Sequence, residues 1–345
     1  MQVALKQAAP AAARNGGAAA FSGQAPADVQ NTITQLRASS ERLIHEVSKV
    51  IVGKKRILEL VMVNLLAQGN ILFEDFPGLA KTVMASTFAR ASGCDFKRVQ
   101  FTPDVLPADI TGSYVYEQKT GSFDFRPGPV FTNILLGDEI NRAPPKTQSA
   151  MLEAMQERQV SVEGRTHRLE APFIVMATQN PIEQEGTYPL PEAQMDRFLM
   201  RLSVGYPDEG EEAEIARRRM QRGKDDFDVA AVTNPRSLVA MQQACERVAV
   251  HEDVIAYVAR LVHGTRSHPD LQVGSSPRGT LGLVKAARAH AALQGRPYTT
   301  PDDVRQLAVP VLAHRIILKP DARFAGRTGA SVIEDMLRRV KAPTV

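Results

Sequence analysis

The stretch Asn70-Ile-Leu-Phe-Glu-Asp-Phe-Pro-Gly-Leu-Ala-Lys-Thr82 decides the fold. Its apolar start predicts a short strand, Pro77-Gly78 predicts a turn, and Lys81-Thr82 stands where a helix would begin. This order is typical of a phosphate-binding loop, in which backbone N–H groups and the N-terminus of a helix surround a phosphate. In such a loop Lys81 would offer a positive charge to the β and γ phosphates, and the Thr82 hydroxyl would be a ligand of Mg²⁺.

The loop departs from the strict glycine pattern at two positions. Asp75 stands where the first glycine is usual, and Ala80 stands where the last one is. Ala80 suits the loop if its backbone is right-handed, because a left-handed alanine costs about 1–2 kcal/mol. The loop sequence also fits an ordinary strand, turn and helix with a surface lysine. The loop motif by itself does not exclude this alternative.

A second motif follows at Ile134-Leu-Leu-Gly-Asp-Glu139, an apolar strand that ends in two acids. Asp138 would hold Mg²⁺ through water, and Glu139 would polarise the water that attacks the γ-phosphate. The alternative is a pair of acids that simply meet solvent at the end of a strand. Asp138 lies 57 residues after Lys81, which leaves room for one crossover between parallel strands and an insertion.

Outward from these motifs, short apolar runs alternate with helical stretches. Apolar strands separated by helices predict a parallel sheet with both faces covered. Beyond Tyr206-Pro207 no further strand is expected. The apolar runs are 71–73, 99–101, 134–136, 173–177 and 198–202.

The rest of the chain is predicted to be mainly helical. Apolar periodicity predicts two helices between Ile33 and Leu66, separated by a break at Val52-Gly53. We therefore predict an α/β domain over residues 33–205 and a helical domain over residues 206–345. Residues 1–32 are rich in Ala, Gly, Gln and Pro and are predicted to be a disordered tail, with a docking arm as the alternative. Capping residues followed by proline predict helix starts at Asn234-Pro235, Ser276-Pro277 and Thr300-Pro301.

The composition is that of an ordinary globular protein. Of 345 residues 43% are hydrophobic, and 42 Lys and Arg face 38 Asp and Glu, so the net charge of +4 gives no indication of nucleic-acid binding. Cys94 and Cys245 lie far apart, and the histidines form no zinc pattern, which favours a reduced, cytoplasmic setting. No apolar run has the length of a membrane span, so no transmembrane segment is expected, and the N-terminus lacks the apolar core of a signal peptide.

Two long stretches are similar, nearly residue for residue, to the signature of the MoxR family of AAA+ ATPases. They are Asp138–Glu157 and the segment from Ala177 to Phe198. The resemblance covers roughly residues 35–340 and implies a P-loop AAA+ α/β/α sandwich with a parallel sheet, followed by a smaller all-α lid domain. It also implies that ATP and Mg²⁺ are bound and that ATP is hydrolysed. Gly-Leu-Ala-Lys-Thr is a familiar form of the loop in this family.

The resemblance assigns roles to residues outside the two motifs. Asn180 matches the sensor-1 residue that orients the attacking water, and Arg197 matches the arginine finger that reaches the γ-phosphate of a neighbouring subunit. Arg278 matches sensor 2, and Val52-Gly53 matches the segment that lines the adenine pocket. Taken singly, the arginines also fit surface ion pairs and Asn180 fits a turn. The predicted nucleotide-binding residues are Val52, Gly53, Pro77, Gly78, Leu79, Ala80, Lys81, Thr82 and Arg278, the metal-binding residues are Thr82 and Asp138, and the catalytic residues are Asp138, Glu139, Asn180 and Arg197.

Two predicted hairpins also match features of the family. The stretch Thr102–Pro127 resembles the helix-2 insert of this clade, and its alternating core over residues 112–125 predicts a hairpin. The stretch Gln159–Leu169, which turns at Glu163-Gly164, resembles the hairpin that precedes sensor 1.

The same resemblance implies a homo-hexameric ring with chaperone-like activity on protein clients. Members of the family often act with a partner that carries a von Willebrand factor A domain, and some assist metal-cofactor insertion or enzyme maturation. Two alternatives are a scaffold that binds nucleotide without hydrolysing it and a DNA-acting motor. Glu139 favours hydrolysis over the scaffold, and the balanced charge, with no appended DNA-binding motif, argues against a nucleic-acid partner.

Overall fold

The centre of the molecule is a five-stranded parallel sheet. The computed structural model describes residues 27–180 and 187–344. The strands of the sheet follow the order β2-β5-β8-β1-β9, and each overlaps one of the five apolar runs, which confirms the predicted parallel sheet. The strands in chain order are β1 (Ile71–Glu74), β2 (Phe96–Gln100), β3 (Gly112–Glu117), β4 (Ser122–Pro127), β5 (Ile134–Asp138), β6 (Gln159–Val162), β7 (Arg165–Arg168), β8 (Ile174–Gln179), β9 (Met200–Leu202), β10 (Leu271–Val273) and β11 (Ile317–Leu318).

Alternate residues of the central strands enter two hydrophobic cores, one on each face of the sheet. Along β8, Ile174 and Met176 lie in one core, whereas Val175 and Ala177 lie in the other. Because side chains on both faces are buried, these strands are apolar at nearly every position. The carboxyl ends of β5, β8 and β1 lie side by side, and this edge of a parallel sheet is where ligands usually bind.

Helices cover both faces of the sheet. One core contains side chains of α1–α3 and of the later helices, and the other contains side chains of α4 and α5. No helix in residues 27–180 or 187–344 is long and apolar enough to cross a membrane. The helices are α1 (Ala27–Ser48), α2 (Lys55–Leu66), α3 (Lys81–Ala91), α4 (Pro107–Thr111), α5 (Pro145–Glu157), α6 (Glu192–Met195), α7 (Glu209–Arg222), α8 (Pro235–Cys245), α9 (Glu252–Arg266), α10 (Pro277–Leu293), α11 (Pro301–Leu312), α12 (Pro320–Phe324) and α13 (Gly329–Arg339), with a 3-10 turn at Ile140–Arg142.

Helix α1 corrects the predicted boundary of the N-terminal tail. The helix begins at Ala27, so residues 27–32 are helical and not part of a disordered segment. Val29 is buried in the same core as Ile33, and the Asp28 carboxylate forms an ion pair with Arg247. The sequence signal is weak because Val29 is the single large apolar residue in the polar stretch 22–32. Residues 1–26 of the predicted tail lie outside the described residues.

The part of the chain after residue 206 is helical apart from one short strand pair. The predicted helix starts are N-caps: the Asn234 side chain accepts a hydrogen bond from Ser237 N at 2.9 Å, and Ser276 accepts one from Arg278 N at 3.1 Å. Thr300 stands at the N-cap of α11, where its backbone N and its Oγ1 donate to Asp303 Oδ2 at 2.7 and 3.0 Å. The expectation that no strand follows Pro207 is wrong in one detail, because β10 and β11 pair antiparallel. These strands are three and two residues long, too short to produce an apolar run.

Both predicted hairpins are present. Strands β3 and β4 pair antiparallel within the insert, and β6 and β7 pair antiparallel around Glu163-Gly164. An aromatic contact joins them, because the Phe125 ring stacks on His167 with centroids 3.9 Å apart. The Tyr114 hydroxyl also lies 3.2 Å from His167 Nε2. The two hairpins therefore pack as one unit beside the sheet.

Candidate nucleotide-binding and catalytic site

The carboxyl edge of the sheet carries a cavity of about 360 Å³. The loop after β1, the end of β5 and the end of β8 each contribute to its wall. Most of the residues that the sequence predicts for nucleotide, metal and water lie here together. The lining residues are Asp75, Pro77, Gly78, Leu79, Ala80, Lys81, Thr82, Val83, Arg98, Gln100, Asp138, Glu139, Thr178 and Asn180.

The phosphate loop runs from the end of β1 to the first turn of α3. Ala80 has φ 55° and ψ 18°, so its backbone adopts the left-handed conformation, the costlier of the two considered from the sequence. A glycine avoids the cost of about 1–2 kcal/mol that a left-handed alanine carries. The loop therefore keeps at position 80 the left-handed conformation that glycine adopts readily, although the residue there is alanine. At Gly78, with φ 82°, an added Cβ would meet no atom within 4 Å, so the loop surface there is open to a ligand.

Lys81 begins α3 and is largely buried. Its Nζ donates hydrogen bonds to the carbonyl oxygens of Asp75 at 2.8 Å and Phe76 at 3.0 Å. Burial lowers the pKa of Lys81, and the negative charges of Asp75, Asp138 and Glu139 oppose that shift. The ammonium group is a positive charge at the loop, and an anion could replace the two loop carbonyls as its hydrogen-bond acceptor.

Asp75, the departure from the glycine pattern, has a structural role in the loop. Its buried carboxylate accepts hydrogen bonds from Ser203 Oγ at 2.6 Å, from Val204 N at 2.5 Å and from Gly205 N at 3.4 Å. These residues follow β9 and lead into the later helices. The aspartate therefore fixes the start of the phosphate loop to the segment that connects the sheet with the helices after residue 206.

Asp138 ends β5 and is the centre of a hydrogen-bond network. Its Oδ1 accepts from Thr178 Oγ1 at 2.7 Å, and its Oδ2 accepts from Thr82 Oγ1 at 3.2 Å and from Arg98 Nε at 2.9 Å. Thr82 and Asp138, the two predicted metal ligands, are thus adjacent. Thr178 and Arg98 were not predicted from the sequence, because each comes from a strand next to β5 and the acidic motif carries no information on its neighbours.

Glu139 is held on the wall of the cavity by two contacts. Its backbone N donates to Thr178 Oγ1 at 2.9 Å, and its Oε2 lies 3.0 Å from Arg142 Nε. The residue has φ 57° and ψ 50°, and a left-handed non-glycine residue of this kind costs about 1–3 kcal/mol and is common at functional sites. Asn180 lies in the same cavity wall at the end of β8, and its carbonyl oxygen is 3.5 Å from Asn141 Nδ2.

Val52-Gly53 does not line the phosphate cavity. A Cβ added to Gly53 would lie 1.8 Å from Glu211 Oε1, so this segment packs tightly against α7. Phe76 of the phosphate loop contacts Tyr206, just before α7, and their ring centroids are 5.9 Å apart. The role of Val52-Gly53 at an adenine base stays a prediction.

Arg197 and Arg278 lie in a second cavity of about 230 Å³, away from the phosphate loop. Arg197 Nη1 donates to the Leu152 carbonyl at 2.8 Å, and its buried Nε has no hydrogen-bond partner among the described residues. Arg278 is half exposed, and its Nη2 donates to Gln156 Oε1 at 3.4 Å. The structure therefore brings the two predicted arginines together, but not with Lys81 of the same chain.

Asp196 organises this second cavity. Its carboxylate forms an ion pair with buried Arg315 and accepts a hydrogen bond from Ser276 Oγ at 2.8 Å. Arg278 Nη1 lies 4.0 Å from the same carboxylate. Burial lowers the pKa of the Arg315 guanidinium, and Asp196 opposes that shift. A contact network therefore links the residue next to Arg197 with the start of α10.

The phosphate cavity has the donor set that Mg·ATP requires. The first amides of α3 have no carbonyl partner within the helix, and Lys81 adds a cation. Among the described residues no group of three or more His, Cys, Asp or Glu side chains could hold a metal. A Mg²⁺ ion at Thr82 and Asp138 would therefore depend on phosphate and water oxygens for its other ligands, which is usual for this ion.

Comparisons with known proteins agree with this geometry. The family model described as "ATPase family associated with various cellular activities (AAA)" matches residues 70–200, and the model described as "AAA lid domain" matches residues 263–336. Chaperone MoxR1 of Mycobacterium tuberculosis is 45% identical in a 314-residue alignment that covers 88% of this chain and 82% of MoxR1. Uncharacterized protein YeaC of Bacillus subtilis is 45% identical over 302 residues, which are 88% of this chain and 94% of YeaC.

A solved structure extends the likeness to the fold. The crystal structure of a candidate ATPase from Cytophaga hutchinsonii superposes with a TM-score of 0.86 at 38% identity and covers 92% of this chain and 98% of that chain. The similarity therefore includes both the sheet and the helices that follow it. With two relatives at this identity and coverage, and with both parts of an AAA ATPase matched in the order that the fold shows, the chain belongs to the MoxR family of AAA+ ATPases.

Proposed function

We propose that this chain binds Mg·ATP in the phosphate cavity and hydrolyses it within a homo-hexameric ring that remodels protein clients. The observation that carries the proposal is the convergence of Lys81, Thr82, Asp138, Glu139 and Asn180 on one cavity wall. A polar cluster from three separate chain segments at the carboxyl edge of a parallel sheet is a typical nucleotide site. Family membership supports the same assignment.

Binding starts with the phosphate loop. Lys81 exchanges its two loop carbonyls, 2.8 and 3.0 Å away, for oxygens of the β and γ phosphates. The amides of Gly78, Leu79 and Ala80 surround the phosphates, and Pro77 helps to shape the loop. When bound, Mg²⁺ neutralises the charge that develops on the phosphate oxygens. Thr82 and Asp138 would hold the ion, Thr82 directly and Asp138 through water.

Hydrolysis then requires a water in line with the γ-phosphorus. The oxygen of this water forms a bond to phosphorus, the bond between phosphorus and the bridging oxygen to the β-phosphate breaks, and Glu139 accepts a proton of the water. Arg142, 3.0 Å from the Glu139 carboxylate, fixes the direction of that side chain. The Asn180 amide orients the water from the neighbouring strand.

The second cavity supports an active site that is shared between subunits. Arg197 and Arg278 line a cavity that does not include Lys81 or Thr82, so a neighbouring subunit is the natural source of the nucleotide that they contact. A positive charge supplied in this way stabilises the charge that develops on the transferred phosphoryl group. A ring, with a hexamer proposed from the family, gives each nucleotide such a neighbour.

The biological role is proposed from the relatives. One of the 45% identical relatives is named a chaperone, which supports remodelling or maturation of protein clients. We propose a protein partner with a von Willebrand factor A domain, metal-cofactor insertion as one form of this activity, and a cytoplasmic location. The described cysteines, Cys94 and Cys245, are both free and buried, which suits a reduced compartment.

The direct test is to replace Glu139 by Gln. We expect nucleotide affinity to change by less than about twofold and turnover to fall about 10²–10⁴-fold, because the variant keeps the shape of the side chain but cannot accept the proton. Steady-state ATPase rates and calorimetric ATP titrations measure the two quantities, with exposed Glu170→Gln as the matched control.

Other outcomes separate the alternatives. Unchanged turnover in Glu139→Gln would exclude this residue as the base. ATP binding without measurable turnover in the wild type would support the scaffold. We expect added DNA to leave the rate unchanged, and strong stimulation by DNA would instead support a DNA-acting motor.

A further inference from the structure

The Asp138 carboxylate is already bound by a cation of the same chain. Arg98 Nε and Nη2 both contact Asp138 Oδ2, at 2.9 and 2.8 Å. Arg98 Nη2 also donates to Gln100 Oε1 at 2.8 Å, so the guanidinium is held from both sides. Both contacts are charge-assisted hydrogen bonds to the same carboxylate oxygen.

The position of Arg98 allows it to move, whereas Asp138 is fixed. Arg98 and Gln100 are two residues apart on the edge strand β2, so they lie on one face, and both line the phosphate cavity. The Arg98 side chain is 49% exposed, whereas that of Asp138 is 12% exposed and is also fixed by Thr178. A change of rotamer at Arg98 disturbs little packing.

Arg98 and Mg²⁺ need the same oxygen. Asp138 Oδ2 is the atom that also accepts from Thr82, the residue expected to bind the metal directly. A water on Mg²⁺ next to Thr82 would donate to this oxygen, which Arg98 occupies. A divalent cation beside the Arg98 guanidinium and the Lys81 ammonium is also electrostatically unfavourable until anionic phosphates enter.

We propose that Arg98 is a positioning residue that competes with Mg²⁺ for Asp138 and, when nucleotide binds, leaves this carboxylate to pair with the phosphates. The inference rests on the proposed function of this cavity. The planar guanidinium suits phosphate oxygens as well as a carboxylate, and Gln100 can keep it near the cavity in both positions. The consequence is that metal and nucleotide bind together: Arg98 weakens metal binding in the absence of nucleotide and strengthens nucleotide binding.

The test measures Mn²⁺ binding, as a paramagnetic substitute for Mg²⁺, by electron paramagnetic resonance of the full chain. Arg98→Met keeps the apolar stem and removes the charge. Lys97→Met is the matched control, because Lys97 is exposed on the same strand but on its opposite face. Without nucleotide, we expect Arg98→Met to bind Mn²⁺ about tenfold more tightly than the wild type and Lys97→Met to match the wild type.

A second measurement uses ATP. In excess chelator, with no divalent metal, we expect the affinity of Arg98→Met for ATP to fall about tenfold, because one phosphate partner is lost. The gain in ATP affinity on adding Mg²⁺ should also be smaller in the variant than in the wild type, because the residue that couples the two ligands is missing. Arg98→Gln should shift both quantities in the same direction, and it replaces Arg98→Met if the latter does not fold.

Equal Mn²⁺ affinity in Arg98→Met and wild type without nucleotide would overturn the proposal, and so would equal metal-free ATP affinity. A wild-type chain that fails to bind Mg·ATP would instead overturn the proposed function of the cavity. The two failures are distinguishable, because the second is measured on the wild type and needs no comparison with a variant.

Discussion

At the scale of single residues, the Asp75 carboxylate joins the phosphate loop to the segment after β9. Motif spacing predicts one shared site for Lys81, Thr82, Asp138 and Glu139, and these residues do line one cavity. Spacing does not predict backbone conformation, and the left-handed Ala80 is an example. The handedness of one residue depends on the loop and helix that surround it, and a local cost of this kind is tolerated when the rest of the fold compensates for it.

Two contacts of Asp138 cannot be predicted from the sequence, and the reason is the same for both. Thr178 and Arg98 bind Asp138 from the strands on either side of β5. Which polar residues face each other across strands depends on register, and a single sequence does not fix the register. A signal was present for Arg98, since Arg98 and Gln100 are polar at alternating positions of a strand whose carboxyl end approaches the acidic motif.

Asp75→Asn should destabilise the protein although aspartate is not part of the usual motif. The buried carboxylate accepts three hydrogen bonds, and an amide cannot accept all of them. We expect the free energy of unfolding to fall by about 1–3 kcal/mol. Urea unfolding measures this, with Glu74→Gln as the control, because the neighbouring Glu74 forms one partly exposed ion pair that is worth about 0–1 kcal/mol. Equal losses in the two variants would contradict the structural role of Asp75.

At the scale of elements, strong local signals were enough for most of the fold. Capping side chains followed by proline predict the starts of α8, α10 and α11, whereas the hairpin β6–β7, which turns at Glu163-Gly164, was implied by the family resemblance. The start of α1 was not predicted, because its first turn is polar and its one buried apolar residue is Val29. The first turn of α1 is helical because residues far along the chain pack against it. Arg247, which contacts Asp28, is 219 residues away in the sequence.

The first turn of α1 can be tested with a pair of matched substitutions. Val29→Asp places a charge in the core, and we expect it to reduce the free energy of unfolding by about 2–3 kcal/mol. Asn31→Asp adds the same charge to an exposed position near the helix N-terminus, where it is neutral or stabilising by about 0.3–1 kcal/mol. Thermal unfolding of both variants measures the difference. Equal midpoints would show that the turn at Val29 is not part of the folded core.

The junction between α10 and α11 should produce a dependence of stability on pH. Burial by itself raises the pKa of Asp303, but hydrogen bonds from His290 and Arg296 hold it well below its usual value. The folded state therefore prefers the ionised form. The resulting stability is present above the pKa of the unfolded chain, about 4, and is lost as pH falls from there toward the folded pKa.

Asp303→Asn tests this junction. We expect a loss of about 3 kcal/mol at pH 7, because Arg296 would lose its buried counter-ion. The difference between wild type and variant should shrink as pH falls below about 4, because the wild type then loses the same contribution. Urea unfolding at pH 7 and at lower pH gives the comparison. A difference that is constant with pH would contradict the ionised state of Asp303 in the fold.

At the scale of the whole molecule, the sequence predicts an α/β domain followed by a helical domain. It does not predict how extensively the two domains pack against each other. One hydrophobic core includes α1, one face of the sheet and the helices after residue 206, so the packing continues across the predicted boundary. The same join brings Arg278 next to Arg197. The contact of Arg278 with Asp196, 82 positions away in the sequence, depends on how one layer packs on another and cannot be obtained from local periodicity.

The separation of the two cavities leads to the central claim, that each nucleotide is hydrolysed between two subunits. Residues of the phosphate cavity would act from one subunit, and Arg197 and Arg278 would act from the next. Arg197→Ala subunits keep Glu139 but offer no finger, whereas Glu139→Gln subunits offer the finger but have no base. Each variant ring alone should therefore be nearly inactive, since a finger supplied in trans contributes about 10³–10⁵ in rate.

The most direct measurement is the ATPase rate of rings assembled from equal amounts of these two variants. In such rings some sites combine an intact Glu139 with an intact Arg197 from the neighbour, and with random assembly these are about a quarter of all sites. We predict that mixing restores activity to about a quarter of the wild-type rate, and that mixing either variant with more of itself restores none. No return of activity, in samples where co-purification of differently tagged subunits shows that mixed rings have formed, would contradict the shared site.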